Sequence, residues 1–180
     1  VVAAGTSILL AQAIGADDDE KQGSICGAAF WLAAVFGLTA FFVIFLLKDS
    51  IIYILRMDQV LWKPAAEYLG VMSWGLFFQA LFAIFTSIFR SYGKAVFTSA
   101  ISIAVNIWNI VGDILVVKGY LHICGTVKDV ALVTVSANAA AAVAAFAIFL
   151  MRGRDKIMGR PRPADRREVL RLGVPAAGGS

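Results

Sequence analysis

Five polar residues inside an otherwise apolar stretch are the first candidates for chemistry. They are Ser99, Ser102, Asn106, Asn109 and Asp113, within residues 95–117. They recur at steps of three, four, three and four, which on an α-helix brings them to one face. The rest of the stretch is Ile, Val, Ala, Phe and Trp. A soluble amphipathic helix would carry many charges on such a face. This one carries hydroxyls, amides and one carboxylate, the pattern of a membrane helix whose polar side meets a bundle interior or a watery cavity.

Asp113 carries the sharpest hypothesis. Apart from Glu67 at the very start of one span, it is the only acidic residue inside any complete span read from this sequence. A charge at membrane depth costs about 2.5–3.5 kcal/mol on insertion scales, a cost normally offset by function or by pairing. Asn109 lies one turn before it and Asn106 a further turn. A carboxylate beside amide oxygens can hold a proton, or offer hard oxygen ligands to Na⁺ or another cation. The blander reading has Asn106 and Asn109 bonding neighbouring helices, with Asp113 snorkelling to the surface about 7.5 Å from Lys118 along the axis.

Other polar residues are less pointed. Thr134 and Asn138 stand one turn apart in an Ala-rich run and either tie helices together or touch a ligand. Ser102, Asn106, Gln79, Thr134 and Asn138 are the candidates for lining a cavity; Gln12, Ser73 and Thr86 have no spacing that singles them out. His122 is the sole His and falls in a loop. No nucleophile–base pair, phosphate loop or Cys/His cluster is legible, so neither an enzyme nor a resident cofactor or metal is expected.

The elements that must position these residues follow from composition. Of 180 residues, 60% are hydrophobic and 16% charged, against about 45–50% and about 25% in soluble domains. The mean hydropathy is +0.81. Runs 22–47, 68–89 and 130–151 hold no charge, and about 20 residues suffice to span a hydrocarbon core. The expected class is all-α, a polytopic transmembrane helix bundle.

In chain order, 1–16 reads as the end of a span and 17–22 (DDDEKQ) as a charged turn. Complete spans follow at 23–47, 65–89, 95–117 and 130–151. Gly27 and Gly37 allow close helix approach in the first. Residues 48–67 form a mixed loop with a short interfacial helix near 50–61, and Pro64 suits the first turn of the next helix. Residues 90–94 (RSYGK) are a turn, and 118–129 a loop. Residues 152–171 are a linker with eight basic residues, and 172–180 begin another apolar element, broken by Pro175. The chain opens without Met inside an apolar run and stops inside another, so a fragment of a longer protein is expected.

The net charge of +4 resides in loops, as orientation signals do, and does not point to nucleic acid. With the linker cytoplasmic, the loops on that side hold 11 Lys and Arg against 5 on the other, in keeping with the positive-inside rule. Cys26 and Cys124 then lie at opposite faces, so no disulfide joins them.

Several segments together resemble the multidrug and toxic compound extrusion (MATE) family. GTSILLAQAIGADDDEKQ is similar to the end of that family's second helix and the turn after it. AAEYLGVMSWGLFFQALFAIFTSIFRSYGKAVFTSA resembles the fourth helix, the Arg-x-x-Gly turn (Arg90 to Gly93) and the start of the fifth. VNIWNIVGDILVVKGY resembles the Asn-x-x-x-Asp fifth helix, at Asn109 and Asp113, and EVLRLGVPAAGGS the Gly-x-Pro start of the seventh.

The resemblance implies most of an amino-terminal six-helix lobe (1–151) lacking its first helix, an inter-lobe linker (152–171) and the start of a second lobe (172–180). It implies an inner-membrane antiporter that exports small organic cations or amphipathic drugs against Na⁺ or H⁺, with cation-coupling roles for Asn109 and Asp113. The partners implied are the lipid bilayer and the second lobe of the same full-length chain. Two departures stand out. The family's first helix, which supplies another coupling acid, is absent, and Ile114 stands where many members have Pro. The alternatives are a lipid-linked oligosaccharide flippase of the same superfamily and a non-transporting scaffold subunit. A flippase cavity tends to be cationic, and no Arg or Lys lies inside a complete span here.

Overall fold

A computed structural model describes residues 2–118, 126–157 and 163–178. Six α-helices follow in order: α1 (Val2–Gly15), α2 (Asp19–Ile54), α3 (Gln59–Ser91), α4 (Ala95–Val117), α5 (Val127–Ile157) and α6 (Pro163–Gly178). Among the described residues there is no strand. Asp19–Ile54, Gln59–Ser91, Ala95–Val117 and Val127–Met151 are long and apolar enough to cross a membrane. The all-α, multi-pass expectation holds. His122 and Cys124 lie outside the described residues, and Cys26 is a buried free thiol.

The boundaries differ from the sequence reading in three places, each for a local reason. The acidic run is mostly a helix start. The Asp18 carboxylate accepts a hydrogen bond from the Lys21 backbone N–H at 2.9 Å. Asp19 and Glu20 then occupy the first turn of α2, where the helix dipole favours negative charge. The true turn is residues 16–18, with Asp17 at φ 53°.

The mixed loop is also helical. Nothing in 48–54 breaks a helix, and leaving the bilayer does not end one. The expected interfacial helix is therefore the last turns of α2, and the break shrinks to 55–58, with Arg56 at φ 49°. At 36 residues, α2 is about 54 Å long, well beyond a hydrocarbon core of about 30 Å. Pro64 sits inside α3, in its second turn rather than its first.

The third difference is at the carboxyl end. The fourth complete span begins at Val127 and its helix runs on to Ile157. The basic linker then yields α6, which continues through Pro175 to Gly178. This helix is docked, not free. Val169 is wholly buried in the core, Asp165 is buried and accepts a hydrogen bond from the Ser24 hydroxyl, and the Arg166 guanidinium lies 4.2 Å from the centre of the Trp31 ring.

The core gathers α1, α2, α3, α5 and α6 around Leu9, Leu10, Ile25, Ile84, Ile88 and Phe149. Phe30, Phe85 and Phe149 contact one another with ring centres 4.7–5.8 Å apart. Gly37 permits the approach of α2 to α3: a Cβ there would stand 3.2 Å from Ala80 Cβ and 3.3 Å from Phe77 Cα. The Ser87 hydroxyl donates to the Ala3 carbonyl at 2.6 Å, fastening α3 to α1. Tyr92, the C-cap of α3, donates to Gln22 Oε1 at 2.9 Å, so the ends of α3 and α2 near the 16–18 turn meet at one face. Gly93 closes the turn into α4 at φ +69°, a conformation glycine adopts without strain.

Candidate functional site

The site is built on α4, which packs chiefly against α5 and only lightly against α3. The five-residue stripe covers about 80° of arc, and the structure splits it along its length. Asn109, Asp113 and Ser102 are half-buried, whereas Ser99 and Asn106 are exposed. The polar stripe is thus an edge of the helix contact, one side packed and one side open. Asn106 does not share the enclosed surroundings of Asn109.

Within that edge, Asn109 Oδ1 and Asp113 Oδ1 are both buried with no hydrogen-bond partner. They sit one turn apart on the same side of α4. A buried acceptor left unsatisfied costs roughly 1–3 kcal/mol. Neighbouring helices do not offset that cost at these two atoms, so the reading in which Asn109 serves only to bond another helix lacks its bond at Oδ1. Two unpartnered oxygen acceptors one turn apart, one of them on a carboxylate, can take up a proton or ligate a hard cation.

The seam with α5 fixes their height. A Cβ at Gly112 would overlap Val133 Cγ1, and the Trp108 indole N–H donates to Ser136 Oγ at 3.3 Å. Thr134 falls between these two levels on α5. It is half-buried, and its hydroxyl turns back to the Val130 carbonyl at 3.4 Å. Asn138 is half-buried and faces α3, its Nδ2 3.8 Å from where a Gly75 Cβ would stand. Gln79 is exposed on α3, one turn beyond Gly75. Among the cavity candidates, Ser102 and Thr134 are half-buried. Asn138 belongs to the α3–α5 contact, and Gln79 and Asn106 are open.

Sequence reasoning missed Gly112, although a glycine between two candidate ligands was a usable signal. It also missed Ser24, Asp165 and Arg166. Nothing local marks a serine near one helix start as the partner of a carboxylate 141 positions away. Among the described residues no group of three or more His, Cys, Asp or Glu converges as a metal site would.

Comparison with known proteins agrees with this architecture. An uncharacterized transporter of Bacillus subtilis (strain 168), YisQ, is 24% identical over 188 residues, covering 98% of this chain and 40% of that protein. The inward-facing structure of a multidrug resistance MATE family transporter of the MOP superfamily is matched at a TM-score of 0.86, with 23% identity over 98% of this chain and 40% of that one. The outward-facing structure of such a transporter is matched at 0.84 with the same identity and coverage. The chain thus spans about two fifths of the length of the relatives it matches. The model of the MatE family matches residues 1–115, well over half of the sequence, and this chain belongs to that family.

Proposed function

We propose that this chain is part of an ion-coupled antiporter that exports cationic or amphipathic organic compounds, and that Asn109 and Asp113 hold the coupling ion, Na⁺ or H⁺. The observation that carries the reading is the pair of buried, unpartnered oxygens on successive turns of α4. An apolar helix that leaves two acceptors unsatisfied retains them at a cost in stability. An ion that binds there offsets that cost.

The mechanism follows from linkage. Loading Asp113 neutralises a charge at the α4–α5 seam, and emptying it restores the charge. Only a difference in ion affinity between outward-open and inward-open states can move the equilibrium between them. The likeness to solved inward-facing and outward-facing structures, at TM-scores of 0.86 and 0.84, suits a lobe that keeps its fold while access alternates. In this reading the drug binds between this lobe and a second lobe of the full-length chain. The protein lies in the inner membrane, with residues 152–171 at the cytoplasmic face.

The test is ethidium efflux from energised vesicles carrying the full-length protein, under imposed Na⁺ or H⁺ gradients, with Asp113→Asn beside the wild type. Gradient-dependent efflux in the wild type and its loss in a normally inserted Asp113→Asn variant support the reading. Unimpaired efflux in that variant sinks it.

A further inference from the structure

An open cavity of about 160 Å³ lies between α4 and α5. Ala104, Val105, Trp108, Ala137, Ala140 and Ala144 are among its walls, and the walls are almost wholly apolar. It is not the coupling site. Ala104 and Trp108 stand about 180° and 140° round the α4 axis from Asp113, and the Gly112–Val133 contact lies between. The seam therefore has two sides, one with the polar pair and one with this groove. At the groove the surface of α4 is apolar and exposed, with Trp108 at 54% and Val111 at 49% of their full accessibility.

The occupant is constrained by chemistry. Trp108 spends its N–H on Ser136, so it offers the groove a ring face and no donor. The walls suit alkyl chain and little else. The mouth is positive. Ile101, at one end of the groove, stands about 10 Å along α4 from Lys94. Lys94 and Arg90 are both exposed there. Positive charge at the mouth disfavours an organic cation and favours a phosphate.

We propose that the α4–α5 groove seats one acyl chain of an anionic phospholipid whose phosphate is held by Arg90 and Lys94. The lipid fills a notch on the outer side of the seam and so steadies α4 against α5 at the helix that bears Asn109 and Asp113.

The test uses the full-length protein with Trp108 as its only tryptophan, the others replaced by Phe. It is reconstituted in vesicles in which either phosphatidylglycerol or phosphatidylcholine carries brominated acyl chains, which quench tryptophan on contact. Each basic residue at a surface favours anionic lipid roughly fivefold, so two predict about a twenty-five-fold preference for phosphatidylglycerol in the quenching of Trp108. Arg90→Glu combined with Lys94→Glu should abolish that preference. Absent quenching, or equal quenching by both lipids, overturns the proposal. So does quenching relieved by ethidium, which would make the groove a drug site. Native mass spectrometry of the protein with its tryptophans intact gives a second readout. Ala140→Leu, which fills the groove from an exposed position, should retain one phosphatidylglycerol fewer than the wild type, and an unchanged count overturns the proposal.

Discussion

Gly112 of α4 and Val133 of α5 meet so closely that a Cβ on the glycine would overlap Val133 Cγ1. The contact lies between Asn109 and Asp113 in sequence and holds their helix against its neighbour. Overpacking such a seam costs typically about 1–3 kcal/mol. Gly112→Ala should lower the thermal midpoint of the purified protein and impair transport, and Val133→Ala should restore both by returning the space. Thermal unfolding of the two single variants and the double variant reads the effect, and equal midpoints for all of them would contradict this account of the seam.

Asn109 separates a functional from a structural polar group. Its Oδ1 is buried without a partner, so replacing the side chain by an apolar one of similar size removes an unsatisfied acceptor. Asn109→Leu should leave stability unchanged or raise it by about 1 kcal/mol, while abolishing ion-coupled efflux. An asparagine that bound helices together would give the reverse pattern, lost stability with transport surviving in the folded fraction.

Asp165 and Ser24 should matter to the docking of α6. Ser24→Ala withdraws the donor that reaches the buried carboxylate, a loss of roughly 1–3 kcal/mol where a charged group is left short of partners. Hydrogen exchange within residues 163–178 should speed up by at least about fivefold, at about 1.4 kcal/mol per factor of ten. Trp31→Leu should give a smaller change, since a cation–π contact is worth about 0.5–2 kcal/mol.

Tyr92 gives a pH dependence. Burial pushes its hydroxyl well above the usual tyrosine value. The folded state therefore holds this proton more tightly than the unfolded chain does. Below the unfolded value of about 10 the group contributes no pH dependence, and above it stability falls as pH rises. Tyr92→Phe should cost about 1 kcal/mol at neutral pH through the lost bond to Gln22 Oε1, and should flatten the decline at alkaline pH. Thermal midpoints of both proteins measured across that range check the sign.

Much of the fold was legible because membrane spans advertise themselves. Charge-free runs marked three crossing helices and a run broken only by Asp113 a fourth, Gly37 marked a close approach, and Gly93 marked the turn into α4. Helix ends were less legible. Lys48 and Asp49 read as loop because they are charged, yet charge ends a span and not a helix, and α2 runs on to Ile54. The docking of α6 was illegible because it rests on Val169, Asp165 and Arg166, whose partners are far away in sequence. Within the candidate site, periodicity put five residues on one face. It could not say which side of that face would be packed. The position of α5 decides that, enclosing Asn109 and Asp113 while leaving Ser99 and Asn106 open.

In the proposed mechanism Asp113 carries the ion that drives export. The most direct measurement records both fluxes at once in proteoliposomes of the full-length protein, ethidium leaving and Na⁺ or H⁺ entering, for wild type and Asp113→Asn. Ion entry should be tied to dye exit in the wild type, with neither flux above background in a variant that inserts normally. Dye exit still matched by ion entry at the wild-type ratio in Asp113→Asn would contradict it.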